Sequence, residues 1–223
     1  MSILIAALHK MRILSLFDGT GSICVPFAAA GWECQRVDLD GRHGATVVCD
    51  VRAWDYSAEP APDVIFAGCP CEQYSIARTT AKTPRNFELA DSLVAATWRI
   101  IQHFLVLNPK LQWFIENPAT SMLWKRSVSE PFPHRVVLDY CQYSSEMGYR
   151  KRTKLATNSA FEGRPLCKPS TCAACVDGRH IKSAQRGPCK GKDKQMDRCT
   201  LDQLHGYPPQ LCDEIYAFCA NLV

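Results

Sequence analysis

The chain contains no apolar run close to the roughly 18 residues that a membrane-spanning helix needs, so a helical membrane protein is not expected. The first ten residues are apolar, but they carry no basic leader and no plain cleavage site, so no secretory signal is expected either. Residues 1–11 read as an N-terminal extension, with Met11 as a second possible start. No internal repeat is present, which removes solenoids and propellers. With 223 residues there is chain enough for one sizeable core.

Cysteine is the opposite case, with thirteen in the chain. Without a secretory signal a disulfide framework is not expected, which leaves metal binding and catalysis as the uses of so many thiols. Charge is unevenly spread. The net charge is +4, yet residues 149–198 hold 13 Lys and Arg against 4 Asp and Glu, a net of +9, so the remainder carries −5. A basic block on an acidic body points to a polyanionic partner, nucleic acid being the simplest. The bland alternative is a solvated loop.

The stretch that organises the rest is Gly68-Cys69-Pro70-Cys71-Glu72-Gln73-Tyr74-Ser75. It follows Asp63-Val64-Ile65-Phe66-Ala67, whose length and β-branched content fit a buried parallel strand. A Cys just past such a strand stands at the carboxyl edge of an open α/β sheet, where these folds bind ligands. Pro70 restricts the backbone immediately before it. Cys71 therefore reads as a positioned nucleophile, against the alternative of a buried structural thiol.

Further elements fit the same sheet. Residues 12–17 read as a first strand and Asp18-Gly19-Thr20-Gly21-Ser22 as a glycine turn. A helix over 23–31 follows, with Ser22 as N-cap and Gly31 as stop. Residues 33–37 predict a second strand ending at Asp38, an acid placed to accept from ribose hydroxyls. Residues 47–49 predict a third, ending at Asp50, an acid able to accept from an adenine amine. Residues 76–86 read as a mobile loop whose Arg78, Lys82 and Arg85 can meet phosphates. A helix is expected over 87–107, with Leu89, Leu93, Ala96, Ile100, Ile101, Phe104 and Leu107 facing the core. Residues 112–115 predict another buried strand, with Glu116 at its end as a candidate acid. A strand is expected over 136–140. After it, the alternation of Arg150, Arg152 and Lys154 puts three cations on one strand face; a basic edge strand that resists aggregation is the competing reading.

Residues 159–199 are Gly-, Lys- and Cys-rich without hydrophobic period. Cys167, Cys172, Cys175 and His180 have the close spacing of a zinc knuckle, with Cys189 and Cys199 as further available ligands. So polar a segment cannot fold by burial alone, and a metal would supply the missing energy. The alternative is a flexible loop with incidental thiols. Residues 204–209 read as a turn, and a helix over 209–222 is expected to bury Leu211, Ile215, Phe218 and Leu222.

Taken together these motifs resemble the DNA cytosine-5 methyltransferase family. Leu16-Phe17-Asp18-Gly19-Thr20-Gly21 is similar to its cofactor turn, and Pro70-Cys71-Glu72-Gln73-Tyr74-Ser75 to its Pro-Cys-Gln loop. Glu116-Asn117-Pro118 is similar to its Glu-Asn-Val motif, the 150–154 strand to its Gln-x-Arg-x-Arg, and Leu204-His205-Gly206-Tyr207-Pro208 to its Leu-Gln-Gly-Phe-Pro. The Cys-rich ending resembles compact phage or large-virus members. The chain departs from the pattern at Glu72, Pro118, Arg150 and Lys154, shows no Gly-Asn-Ser near its end, and is too short after residue 158 for a full target-recognition domain.

The resemblance implies a Rossmann-like α/β fold that binds S-adenosylmethionine, a mostly parallel sheet flanked by helices. It implies a catalytic unit over 12–158, a nucleic-acid-contacting insertion over 159–199, and a C-terminal turn and helix over 200–223 returning to the catalytic unit. The implied catalytic residues are Cys71, Glu116 and Arg152, the last favouring the Cys71 thiolate. The cofactor would meet Phe17, Asp18, Gly19, Gly21, Asp38, Asp50, Val51 and Pro70. The substrate would meet Ser75, Arg78, Arg85, Asn117, Arg150 and Lys154. The expected partner is DNA and the expected state a monomer, in bacterial or phage-infected cytoplasm or otherwise intracellular. Methylation of RNA or of a free pyrimidine nucleotide, or zinc-stabilised nucleic-acid binding without catalysis, are the competing functions.

Overall fold

A computed structural model describes residues 10–79, 81–184 and 197–222. Most of the expected N-terminal extension, together with Cys189, lies outside the described residues. The first strand, β1 (Arg12–Leu16), runs into the glycine turn and helix α1 (Cys24–Ala29). Then follow β2 (Glu33–Asp38), β3 (Val47–Val48), β4 (Val64–Gly68), α2 (Phe87–Leu107), β5 (Gln112–Pro118), β6 (His134–Asp139) and β7 (Arg152–Thr157). The Cys-rich segment contributes only two-residue strands, β8 (Cys175–Val176), β9 (Arg179–His180), β10 (Lys182–Ser183) and β11 (Asp197–Arg198). Helices α3 (Leu201–His205) and α4 (Pro209–Ala220) close the chain. No helix among the described residues is long and apolar enough to cross a membrane.

Seven strands form one sheet in the order β3-β2-β1-β4-β5-β7-β6. The first five pair in parallel; β7 is antiparallel to both its neighbours. The period of two along β4 serves both faces. Ile65 and Ala67 join Ile100, Ile101 and Phe104 of α2 in one core, while Val64 and Phe66 join Phe27 of α1 and Leu211 and Ile215 of α4 in the other. A sheet covered on both faces explains why these strands are continuously apolar.

The helix expected over 87–107 has those bounds, begun by the Asn86 side chain accepting from the Leu89 amide at 2.9 Å. Its stripe is rotated from the one expected, because Leu89 and Leu107 are exposed and Ala90, Val94 and Thr97 are buried instead. Leu222 is likewise exposed, past the end of α4. Ser22 does not cap α1: the helix starts at Cys24 without a side-chain cap, and the Ser22 hydroxyl accepts the Tyr207 amide at 2.9 Å. The segment from 204 to 208 thus closes against the glycine turn, and the Tyr207 ring packs edge-on against Phe66, centroids 5.0 Å apart.

This closure needs a glycine at 68, since a Cβ there would collide with the Tyr207 hydroxyl. Gly68→Ala is expected to cost about 1–3 kcal/mol of stability by overpacking. Tyr207→Phe, which removes the colliding oxygen, should recover part of that loss. Denaturant unfolding of the two single variants and the double variant measures it; additive losses would show that the two residues do not conflict.

Candidate active site

Strand order reverses between β1 and β4, and in open α/β sheets the crevice outside the carboxyl ends at such a point takes the ligand. Two segments open there, residues 17–21 after β1 and 68–75 after β4. Phe17, a non-glycine residue, has φ +54°, and Gly19 and Gly21 follow at +55° and +75°. A left-handed Phe is a strained conformation of the kind found at binding sites. A Cβ at Gly21 would run into the guanidinium of Arg36. That group is itself fixed, donating from Nε to the buried Asp18 carboxylate at 2.5 Å and from Nη2 to the His43 carbonyl at 2.8 Å.

Asp38 accepts the Gly19 amide at 2.9 Å and the Asp40 amide at 2.9 Å, so its first task is to shape the glycine turn. Its remaining lone pairs are free to take ribose hydroxyls. Asp50 is bound by Arg52, through both the guanidinium and the Arg52 amide, and the guanidinium holds its carboxyl below the usual range. Val51 beside it is buried. The Thr20 hydroxyl is buried without a partner among the described residues. An unpaired buried hydroxyl inside a glycine turn fits a polar ligand group coming from the crevice, so the residues present suit a nucleoside cofactor.

The second segment carries two thiols with different surroundings. Cys69 is buried beside Thr97, and burial pushes its thiol up to about 12. Cys71, two residues on, is only half-buried. Between them stands Pro70, and the Cys69 carbonyl before it accepts from Asn117 Nδ2 at 2.7 Å. After Cys71 the chain turns back, with the Tyr74 amide donating to the Cys71 carbonyl at 3.0 Å. Tyr74 is buried and donates its hydroxyl to Asp91, which also takes the Arg126 guanidinium. The 68–75 segment is thus pinned on both sides of Cys71.

Gly68 lies opposite Glu116 in the parallel register of β4 and β5. Glu116 is buried, accepting from the Thr153 hydroxyl and, at 3.4 Å, from that of Tyr140. Burial raises the Cys71 pKa above its ordinary value and the Glu116 charge raises it further, while Lys151 lowers it. The cation expected to act on Cys71 was Arg152. In the structure Arg152 is exposed and bound to the buried Asp139, Nε at 2.9 Å and Nη2 at 2.7 Å. Lys151, one residue earlier, reaches the other way and donates to the Leu204 carbonyl at 2.9 Å. Strand alternation decides the exchange, since neighbouring residues point to opposite faces.

Of the expected substrate contacts, Arg150 is exposed and Lys154 lies over the Trp124 ring, 5.3 Å from its centroid. Asn117 is fully buried, and its Oδ1 has no partner among the described residues. Ser75 accepts the Ala77 amide, Arg78 bonds Thr83, and Arg85 donates to the Gln73 carbonyl at 2.8 Å. The end of the 76–86 segment is bonded to Gln73, whose side chain also accepts the Asn86 amide at 2.8 Å.

A second group of reactive side chains lies past the end of β6. Cys141, Cys167, Cys172 and His180 bring their ligand atoms within 4.8 Å of one another. Three of the four expected ligands are in it, and Cys141 takes the place expected of Cys175. Local spacing could not reveal Cys141, which comes from another element of the chain.

No family model and no sequence relative matches the chain. Its fold is similar to that of the Entamoeba histolytica methyltransferase EhMeth, at 12% identity over 72% of this chain and 59% of that one, with a TM-score of 0.50. The S. pombe Dnmt2 methyltransferase (14% identity, 70% and 52% covered, TM-score 0.46) and a Spodoptera frugiperda DNMT2 triple mutant (12%, 70% and 54%, 0.42) are also similar. The chain has a methyltransferase fold. It spans between half and three-fifths of the length of these structures.

Within this methyltransferase fold the Cys71 and Glu116 pair gives an unusual expectation. Glu116→Gln removes a negative charge that opposes thiolate formation, so Cys71 should react faster with iodoacetamide near neutral pH. The wild-type labelling rate should keep rising with pH beyond the ordinary thiol pKa of about 8.5, and the variant's profile should lie at lower pH. Peptide-level mass spectrometry follows Cys71 specifically. An unchanged profile would show that the two groups do not interact.

Proposed function

We propose that this protein transfers the methyl group of S-adenosylmethionine to carbon 5 of cytosine in DNA. The observation that carries the reading is the register of Gly68 with Glu116, which sets the Cys71 loop and a buried carboxyl at the ends of neighbouring strands. Phe17, Gly19, Thr20, Asp38 and the Asp50-Val51 pair would hold the cofactor. When bound, S-adenosylmethionine supplies an electrophilic methyl on a sulfonium.

The protein's own task is to make carbon 5 nucleophilic. Addition of the Cys71 sulfur to carbon 6 turns the ring into an enamine, splitting one hard step into easier ones. Charge would then build on the ring in a buried site, where it is costly unless paired. The proton that leaves the Cys71 thiol as its sulfur adds passes to Glu116, which shares it with ring N3 and prevents that. That proton also neutralises the Glu116 charge, which together with burial holds the Cys71 thiol protonated, so ring binding and thiol activation are linked. Loss of the carbon 5 proton to a base then expels Cys71. Asn117 and Tyr74 keep the sulfur in place by gripping the loop on either side of it.

The polymeric substrate is supported by the net +9 charge of residues 149–198, more than a single nucleotide requires. Arg150, Lys168 and Arg179 of this stretch are exposed. A cytosine within a duplex would have to be flipped out, at a cost of a few kcal/mol.

Cys71→Ala is expected to abolish methyl transfer while S-adenosylmethionine binding by calorimetry stays within about twofold. Labelled methyl groups should enter duplex DNA, with bisulfite sequencing of DNA from expressing cells locating the modified cytosines. Full activity in Cys71→Ala would overturn the mechanism. Uptake into RNA or dCTP alone would overturn the choice of DNA.

A further inference from the structure

The segment from residue 165 to 184 has no apolar core of its own. Its buried side chains are Cys167, Cys172 and Ala174, and the cluster they form is completed by Cys141 from the main body. Backbone order without burial needs another source of energy. We propose that Cys141, Cys167, Cys172 and His180 bind one structural zinc ion that fastens the Cys-rich segment to the end of β6.

The distances fit the ion. A tetrahedral zinc with Zn–S near 2.3 Å and Zn–N near 2.0–2.1 Å places its sulfur and nitrogen ligands about 3.6 Å apart. His180 Nε2 lies 3.6 Å from Cys167 Sγ and 3.6 Å from Cys172 Sγ. All four ligand atoms fall within 4.8 Å of one another, close enough for one ion to meet all four. Three soft thiolates and an imidazole select zinc over magnesium or calcium. Four protein ligands close the coordination sphere, so the site is structural and offers no position for a substrate.

The local fold delivers these ligands. Asp177 and Gly178, at φ +51° and +73°, make the tight turn between β8 and β9 that returns His180 alongside Cys175. Cys175 packs against the cluster without belonging to the four. The surroundings also suit a bound metal. Gln142 Nε2 lies 3.8 Å from Cys141 Sγ and 3.7 Å from Cys172 Sγ, an amide positioned to donate to both sulfurs. Three thiolates around a dication leave one net negative charge, and the Arg152 guanidinium is held nearby on Asp139, the carboxylate that also accepts the Cys167 amide.

The site's place in the fold gives it a consequence. Asp139, two residues before Cys141, accepts the Cys167 amide at 2.9 Å as well as the Arg152 guanidinium. Zinc would therefore hold the basic segment against the same carboxylate that orients Arg152. Losing the ion should release the segment and leave the seven-stranded sheet intact.

The test uses the full chain purified under reducing conditions with zinc supplied during expression. Elemental analysis should give about one zinc per chain. Cobalt exchanged into the site should show a tetrahedral spectrum with charge-transfer intensity for three thiolates. Zinc should protect Cys141, Cys167 and Cys172 from alkylation, and Cys175 should label. Cys141→Ser should lose the metal and Cys175→Ser should keep it. On chelation, amide exchange should accelerate across 165–182 and stay slow in β1, β4 and β5. A zinc-free reduced protein with 165–182 still protected, a Cys141–Cys167 disulfide in place of metal, or Cys175 protected instead of Cys141 would each overturn the assignment. The alkylation pattern is read on the wild-type chain, so it decides the matter even where a variant fails to fold.

Discussion

The parallel pairing of β4 with β5 is the constraint on which the site depends. Neighbouring strands lie about 4.8 Å apart, and the register sets Gly68 against Glu116, so the loop that bears Cys71 leaves the sheet beside the carboxyl. A slip of one residue would turn Glu116 to the α2 face and send Asn117 to the other. Two adjacent residues of β5 then do two jobs on opposite faces. Glu116 faces the hydroxyls of Thr153 and Tyr140, and Asn117 reaches the Cys69 carbonyl. The antiparallel strand β7 supplies Thr153 through pairing with the end of β5, which ties the acid to the one reversed strand of the sheet.

The chain's far ends meet at the same place. Tyr207 bonds to Ser22, packs on Phe66 and fills the space that Gly68 leaves open. Lys151 donates to the Leu204 carbonyl, and Tyr149 to the Gln203 carbonyl at 2.6 Å. The C-terminal turn therefore braces the glycine turn, the Cys71 loop and the start of β7 together. This explains why a segment with little apolar content of its own still belongs to the site.

Much of this was legible because it is written in local periods. The apolar runs of β1, β4 and β5, the glycine turn and the helical spacing of α2 each announce themselves within a few residues, and the motif order then places Cys71, Glu116 and Asp38 at strand ends. What could not be read depends on pairing between distant elements. Alternation along 150–154 showed that three cations share a face but not which face points to Cys71, and the structure puts Lys151 there. The thiol spacing after residue 166 pointed to Cys167, Cys172 and His180 as a cluster but could not show Cys141, which joins them only through the fold. Ser22 looked like a cap because the residue that claims its hydroxyl lies at the other end of the chain.

The two thiols of the loop show how position divides labour within three residues. Cys69 sits under the sheet edge beside Thr97, and its burial makes it inert. Cys71 is reachable, yet burial and the Glu116 charge hold it in the protonated form. Since the thiolate is the species that oxidises, the proposed mechanism, in which Cys71 would stay a thiol until a ring neutralises Glu116, would shield it while idle. On that mechanism reactivity lost at rest would return only when a pyrimidine engages the carboxyl, so the charge that slows the free thiol would also make its activation selective for the substrate that removes it.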